Sequence, residues 1–116
     1  MTDTQTLNVR RSGDAAVIEA PAYVNQDGGE LIRDTVVALN EEGVDRIVLD
    51  LSACSMANSV GISFLIEVLE ACRQGEGRFA FCCVSKTIAK TLQIMGLLQT
   101  ATLHEHEDEA VATVQA

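Results

Sequence analysis

Two short runs that suit strands lie near the N-terminus: residues 6–11 contain the apolar Leu7 and Val9, and residues 15–20 are almost entirely apolar. The segment Ser12-Gly13-Asp14 between them has the composition of a tight turn. Pro21 closes the second run, because proline cannot donate a hydrogen bond to a strand ladder. The pattern predicts an N-terminal β-hairpin.

Apolar residues recur at helical spacing in several later segments. The clearest stripe has four members at positions i, i+3, i+4 and i+7: Ile62, Leu65, Ile66 and Leu69. Similar patterns cover residues 30–39 and 85–95, where Gly43 and Gly96 are placed to end the helices. Acidic residues at 107–109 suit a helix start and predict a final helix over 107–114.

Nearly continuous apolar runs at residues 46–51 and 79–84 predict strands buried on both faces. A short loop is predicted over 52–58, and a last short strand over 97–103. Strands that alternate with helices are typical of an α/β fold. We therefore predict a mostly parallel central sheet with about four helices, in which the hairpin forms an antiparallel edge.

Composition narrows the type of core and of partner. A chain of 116 residues is expected to form one domain over residues 1–116. Only 3% of residues are aromatic, so aliphatic residues, alanine and cysteine must fill its core. The net charge of -9 disfavours binding to nucleic acid or anionic lipid and suits a basic protein partner.

The N-terminal segment MTDTQTLNVR is polar, which predicts no secretory signal and a cytoplasmic location. The apolar stretches are too short to insert into a bilayer. We therefore expect free thiols rather than disulfides at the four cysteines, which are Cys54, Cys72, Cys82 and Cys83.

The junction after the strand at 46–51 is the first candidate for function, because ligands and partners gather at the carboxyl ends of strands in α/β sheets. Asn58 and Ser59 lie where the next helix begins, and the spacing favours one of them as its N-cap. A hydroxyl at that position is also open to modification, because free N–H groups and the helix dipole tolerate a phosphate. Gly61 would allow a partner's backbone to approach closely.

Three segments resemble the STAS domain, in particular bacterial anti-sigma factor antagonists. They are Leu49-Asp50-Leu51-Ser52 at the end of a strand, Asn58-Ser59-Val60-Gly61-Ile62 at a helix start, and Leu92-Gln93-Ile94-Met95-Gly96-Leu97 before the last strand. The order of elements also matches over nearly the whole chain.

The resemblance implies binding to an anti-sigma factor that is also a serine kinase with a histidine-kinase-like ATP-binding fold. The kinase would phosphorylate Ser59, and the complex would then dissociate. A PP2C-type phosphatase would remove the phosphate and restore binding. The resemblance also implies a partner-binding surface of seven residues: Cys54, Ser55, Met56, Asn58, Ser59, Gly61 and Ile62.

Two positions depart from the family pattern. Asn58 stands where many members have Asp, so a carboxylate beside the acceptor is lost, and Val60 replaces a second serine. Ser59 is therefore the only acceptor in the motif.

Other STAS proteins act as constitutive scaffolds or as transporter-associated subunits, and this is the alternative function for the chain. Gene neighbourhood or phosphatase treatment would distinguish this alternative from the phosphorylation switch.

Two further clusters carry possible chemistry. Cys82-Cys83 is expected to place its thiols on opposite sides of a buried strand, whereas a redox or metal role would need exposure. His104 and His106, within an acidic run, could bind a divalent metal, but the pattern favours a solvated helix start.

The chain contains no P-loop, dinucleotide fingerprint or serine-protease motif, and both histidines lie in one segment. We expect no enzyme activity, no metal and no cofactor.

Overall fold

The computed structural model describes residues 7–116, so Thr6, which the hairpin prediction included, lies outside the described residues. The strands are β1 (Val9–Ser12), β2 (Ala15–Glu19), β3 (Tyr23–Val24), β4 (Arg46–Asp50), β5 (Met56–Ala57), β6 (Arg78–Cys82) and β7 (Thr102–His104). The helices are α1 (Gln26–Glu41), α2 (Ser59–Gln74), α3 (Lys86–Ile94) and α4 (Glu107–Gln115).

The main sheet has five strands in the order β1-β2-β4-β6-β7. Strands β1 and β2 form the antiparallel hairpin, and the remaining neighbours pair in parallel. The predicted α/β fold, with a mostly parallel sheet, an N-terminal hairpin and four helices, is therefore confirmed.

Both faces of the sheet are covered, and residue size differs between them. The larger core lies under α1, α2 and α3 and takes bulky side chains from the strands, including Ile18, Leu49 and Phe81. The face under α4 takes small ones instead: Ala15, Val17, Val48, Ala80 and Cys82. Small residues let one helix pack closely on the sheet, and burial on both faces explains the continuous apolar runs.

Two predicted boundaries are wrong. The loop at 52–58 contains β5, which pairs in parallel with β3 in a separate two-stranded sheet. The predicted strand at 97–103 begins instead with a 3₁₀ turn at Leu97–Gln99. Gly96 reverses the chain with a φ of 83°, and the turn places Leu97 in the core, so only Thr102–His104 joins the sheet.

The register aligns four polar or polarisable residues across the carboxyl edge of the sheet: Glu19, Asp50, Cys82 and His104. Partners in a parallel pair project from the same face, which here is the face covered by α4. Within residues 7–116, no helix is long and apolar enough to cross a membrane.

Candidate functional site

Ser59 is the first residue of α2, and its side chain is exposed. Asn58 precedes it as the N-cap: its Oδ1 accepts the Gly61 N–H at 2.9 Å, and its carbonyl accepts the Ile62 N–H at 2.9 Å. The capping interpretation therefore applies to Asn58, which leaves the Ser59 hydroxyl free of that role. The structure places the hydroxyl at the opening turn of the helix, where the sequence predicted it.

A second helix start lies beside this one and repeats its construction. Asn25 caps α1 by accepting the Gly28 N–H at 2.9 Å, as Asn58 does for α2. The strands before the two caps pair directly, with Tyr23 opposite Met56. The pairing holds the two helix starts side by side. The Asn-x-x-Gly spacing of the two caps is visible in the sequence, but it also occurs at Asn40–Gly43, at the end of α1, so it does not by itself reveal this arrangement.

Gly61 and Gly28 are both pressed against backbone. A Cβ on Gly61 would collide with the carbonyl oxygen of Val24, and one on Gly28 with that of Tyr23. The predicted use of Gly61, to admit a partner's backbone, is corrected: the chain's own strand β3 occupies that space. Gly61 is buried, and its missing side chain lets strand β3 pack closely against the start of α2.

The seven predicted partner-binding residues separate into two groups. Ser55, Met56, Asn58 and Ser59 are exposed and lie together along the end of the loop and the start of α2. The other three, Cys54, Gly61 and Ile62, are buried, so direct contact of these residues with a partner does not fit the structure. Their packing positions the exposed residues.

Two apolar side chains at this surface, Tyr23 and Val60, are not among the predicted partner-binding residues. Tyr23 is 55% exposed and lies opposite Met56, which is 59% exposed. Val60, next to Ser59, is 47% exposed. Large exposed apolar residues grouped around a polar centre are typical of protein contact surfaces. We refer to Tyr23, Met56, Asn58, Ser59 and Val60 as the Ser59 surface.

The cysteines are free thiols, as predicted. Burial raises the pKa of Cys54, whose thiol donates to the Met56 carbonyl at 3.5 Å, and it raises the pKa of Cys72 as well. Burial also raises the pKa values of Cys82 and Cys83. A raised pKa keeps each thiol protonated and weakly nucleophilic at neutral pH.

The predicted placement of Cys82 and Cys83 on opposite sides of the strand is wrong. Strand β6 ends at Cys82, and Cys83 has a φ of 65°, in the left-handed region. Both residues therefore pack against the small core under α4. The alternation of side chains fails here because it requires extended backbone at both residues.

Arg10 connects the hairpin to the start of α4. Its guanidinium donates to both Glu107 carboxylate oxygens, at 2.6 and 2.7 Å, and to Glu19 at 3.3 Å. The predicted acidic helix start is present, with Glu107 as the first residue of α4.

His104 is the first of the two histidines considered as metal ligands. Its imidazole Nε2 lies 2.9 Å from the Thr102 hydroxyl.

The raised thiol pKa values lead to a prediction about labelling. At neutral pH all four cysteines should react with iodoacetamide much more slowly in the folded protein than in the chain unfolded in urea. The folded-state rate should increase as the pH rises, because a raised pKa delays thiolate formation to higher pH. Timed quenching and mass spectrometry measure the rates, and fast labelling of Cys82 or Cys83 at neutral pH would contradict the assignment.

Comparison with known proteins gives one family match and several structural ones. The model of the STAS domain matches residues 7–110. An anti-sigma factor antagonist from Mycobacterium paratuberculosis superposes with a TM-score of 0.82 at 21% identity, over 96% of this chain and 94% of that one. An anti-sigma factor antagonist (STAS) domain protein from Planctomyces limnophilus gives 0.79 at 21% identity, over 97% and 99%.

The Bacillus cell fate determinant SpoIIAA, in its phosphorylated form, superposes with a TM-score of 0.72 at 20% identity, over 94% of this chain and 99% of that one. These likenesses establish a common fold over nearly the full length of each protein. They agree with the element order described above.

Proposed function

The chain belongs to the STAS domain family, and from this premise we propose that it is an anti-sigma factor antagonist switched by phosphorylation of Ser59. In this proposal the unmodified protein binds an anti-sigma factor that is also a serine kinase. The observation that carries the proposal is the exposed Ser59 hydroxyl at the first position of α2. The proposed role is binding rather than catalysis.

The helix start accommodates a phosphate without a change of fold. The N–H groups of Ser59 and Val60 have no carbonyl partner within the helix, because they belong to its first turn. The Gly61 N–H already donates to the Asn58 side chain. A phosphate at this end of the dipole is favourable by about 0.3–1 kcal/mol. Phosphorylation should therefore leave the protein folded.

The same phosphate would strongly alter docking. It adds a charge of about -1.5 to -2 in the middle of the Ser59 surface. The exposed apolar groups of Tyr23, Met56 and Val60 are the part of this surface that a partner would cover. Covering them would remove water from the phosphate, which is costly unless the partner supplies a matching cation. Phosphorylation therefore opposes the complex.

Reversal needs a phosphatase that reaches the phosphoserine. An exposed helix start meets that requirement, and a PP2C-type phosphatase is the enzyme class that the family resemblance implies. The net charge of -9 suits partners with basic docking surfaces.

Phosphosite mapping tests the proposal. The reduced protein is incubated with ATP and a serine kinase of the anti-sigma factor class from the same organism, and phosphopeptides are located by mass spectrometry. We expect modification at Ser59 and none in Ser59→Ala. Ser63→Ala is the matched control, because Ser63 is exposed one turn later on the same helix and should not affect the reaction.

Phosphorylation at another residue in the wild-type protein would refute Ser59 as the acceptor. A stable complex that forms without ATP and survives phosphatase treatment unchanged, with no phosphorylation at all, would support the constitutive scaffold or transporter-associated function instead.

A further inference from the structure

Three side chains of metal-ligand type meet at the carboxyl edge of the sheet, under α4. Asp50, Cys82 and Cys83 each place one oxygen or sulfur atom so that the three atoms lie within 4.8 Å of one another. Among residues 7–116, no other group of three His, Cys, Asp or Glu residues comes together in this way. The cluster is on the face of the sheet opposite α2, so it is separate from the Ser59 surface.

Two features of the backbone bring the cluster together. Asp50 and Cys82 are register partners in parallel strands, so their side chains project from the same face. The left-handed conformation of Cys83 then returns its thiol to that face. Hydrogen bonds on both sides hold the bend, because Leu51 donates to the Cys82 carbonyl at 3.0 Å and Cys83 donates to the His104 carbonyl at 3.1 Å.

A left-handed non-glycine residue costs about 1–3 kcal/mol and persists only where the surroundings impose it. Such residues gather at functional sites, and this one brings Cys83 to the face of the sheet on which Cys82 packs.

The local charge favours a cation. Arg10 faces three carboxylates, those of Glu19, Asp50 and Glu107, and neutralises one of their charges. The Asp50 carboxylate is also oriented: Oδ1 accepts the Ser52 N–H at 2.8 Å, whereas Oδ2 is 3.8 Å from Arg10, beyond hydrogen-bond distance. One oxygen is thus fixed by the backbone while the other can bind a metal, as in sites where an outer partner orients the ligand.

Although the sequence alone predicts no metal, we propose that Asp50, Cys82 and Cys83 form a binding site for a thiophilic divalent cation of the Zn²⁺ class. Two thiolates and one carboxylate are a ligand set that Zn²⁺ accepts, with water in the fourth position. On binding, both thiols release their protons to solvent, and two metal–sulfur bonds and one metal–oxygen bond to Asp50 replace bonds between the ion and water. Cys83 is only half-buried, which gives the ion a route to the buried Cys82.

A disulfide between the two cysteines is the other chemistry this pair could carry, and the geometry disfavours it. Neighbouring Cα atoms across a trans peptide are about 3.8 Å apart, shorter than the roughly 4.4–6.8 Å that disulfides span. A metal ion bridges the sulfurs without bonding them to each other, so this constraint does not apply.

Metal titration of the reduced, untagged full chain tests the proposal. Zn²⁺ binding is measured by calorimetry, and Co²⁺ serves as a spectroscopic probe because a thiolate-to-cobalt charge-transfer band reports sulfur ligands. We expect one ion per chain. Cys83→Ser, which keeps the size of the side chain, should weaken Zn²⁺ binding at least about tenfold and remove much of the band.

Cys72→Ser is the matched control, because Cys72 is also half-buried but packs on the opposite face of the sheet, and it should leave binding unchanged. Asp50→Asn should also weaken binding. Circular dichroism of each variant establishes that it is folded, and Cys82→Ala provides a second sulfur deletion.

Three results would overturn the site. They are the absence of saturable Zn²⁺ binding, Co²⁺ binding without a thiolate band, and Cys83→Ser binding Zn²⁺ as well as the wild-type protein. In the last case, loss of binding in His104→Ala or His106→Ala would assign the ion to the histidines instead.

Discussion

Replacing Gly61 with alanine should lower the free energy of unfolding by about 3 kcal/mol. The added Cβ would collide with the carbonyl oxygen of Val24. That oxygen also accepts the Asn58 N–H at 3.1 Å, so any shift that relieves the collision weakens the attachment of the N-cap residue. The two nearest atoms are the carbonyl oxygen and carbon of Val24, so movement of a flexible side chain cannot relieve the collision.

Chemical denaturation followed by circular dichroism measures the effect. Gly75→Ala, at the C-cap of α2, is the control, because its Cβ would meet two carbonyl oxygens at ordinary distances, 3.5 Å to Ala71 and 3.9 Å to Cys72, and its φ of -86° suits alanine. Its stability should change by less than about 1 kcal/mol. Equal destabilisation at the two glycines would show that close approach of β3 is not the reason for Gly61.

The second large effect concerns partner binding. Ser59→Glu should weaken binding to the cognate anti-sigma factor by about 100-fold, or about 2.7 kcal/mol. The carboxylate would lie among the exposed apolar groups of the Ser59 surface, where docking removes its water. The stability of the free protein should not fall, because an anion at a helix N-terminus is favourable. Ser59→Ala adds no charge and should keep wild-type affinity.

Calorimetry or surface plasmon resonance with the purified partner measures the affinities. Thr87→Glu is the matched control, because it places the same carboxylate in the exposed first turn of a different helix, α3. We expect its affinity to stay within about threefold of wild type, as rim or remote charges contribute little. If Ser59→Glu bound as tightly as Ser59→Ala, a charge-based switch at Ser59 would be excluded.

Gly61→Ala and Ser59→Glu change two different parts of one site. Gly61 lets strand β3 pack closely against the start of α2. Ser59 lies on the exposed surface that a partner would contact. A variant that loses binding while remaining fully stable is informative about the surface alone. Gly61→Ala, in contrast, should affect stability first and binding only as a consequence.

The amino-acid sequence by itself determined the helices, the buried strands and the serine at the start of α2. These features follow from local physics: apolar periodicity, capping side chains and the preferences of glycine act over a few residues. The Asn58 cap and the end of α1 near Gly43 are correspondingly close to their predicted positions.

Only the tertiary structure decided which distant residues meet. The pairing of Tyr23 with Met56 depends on two strands too short to show a period, and it places the second helix start beside the first. The meeting of Asp50 with both thiols depends on the register of β4 and β6 and on one left-handed residue, Cys83. Register and backbone reversal are set by packing across the whole sheet, so no local pattern encodes them.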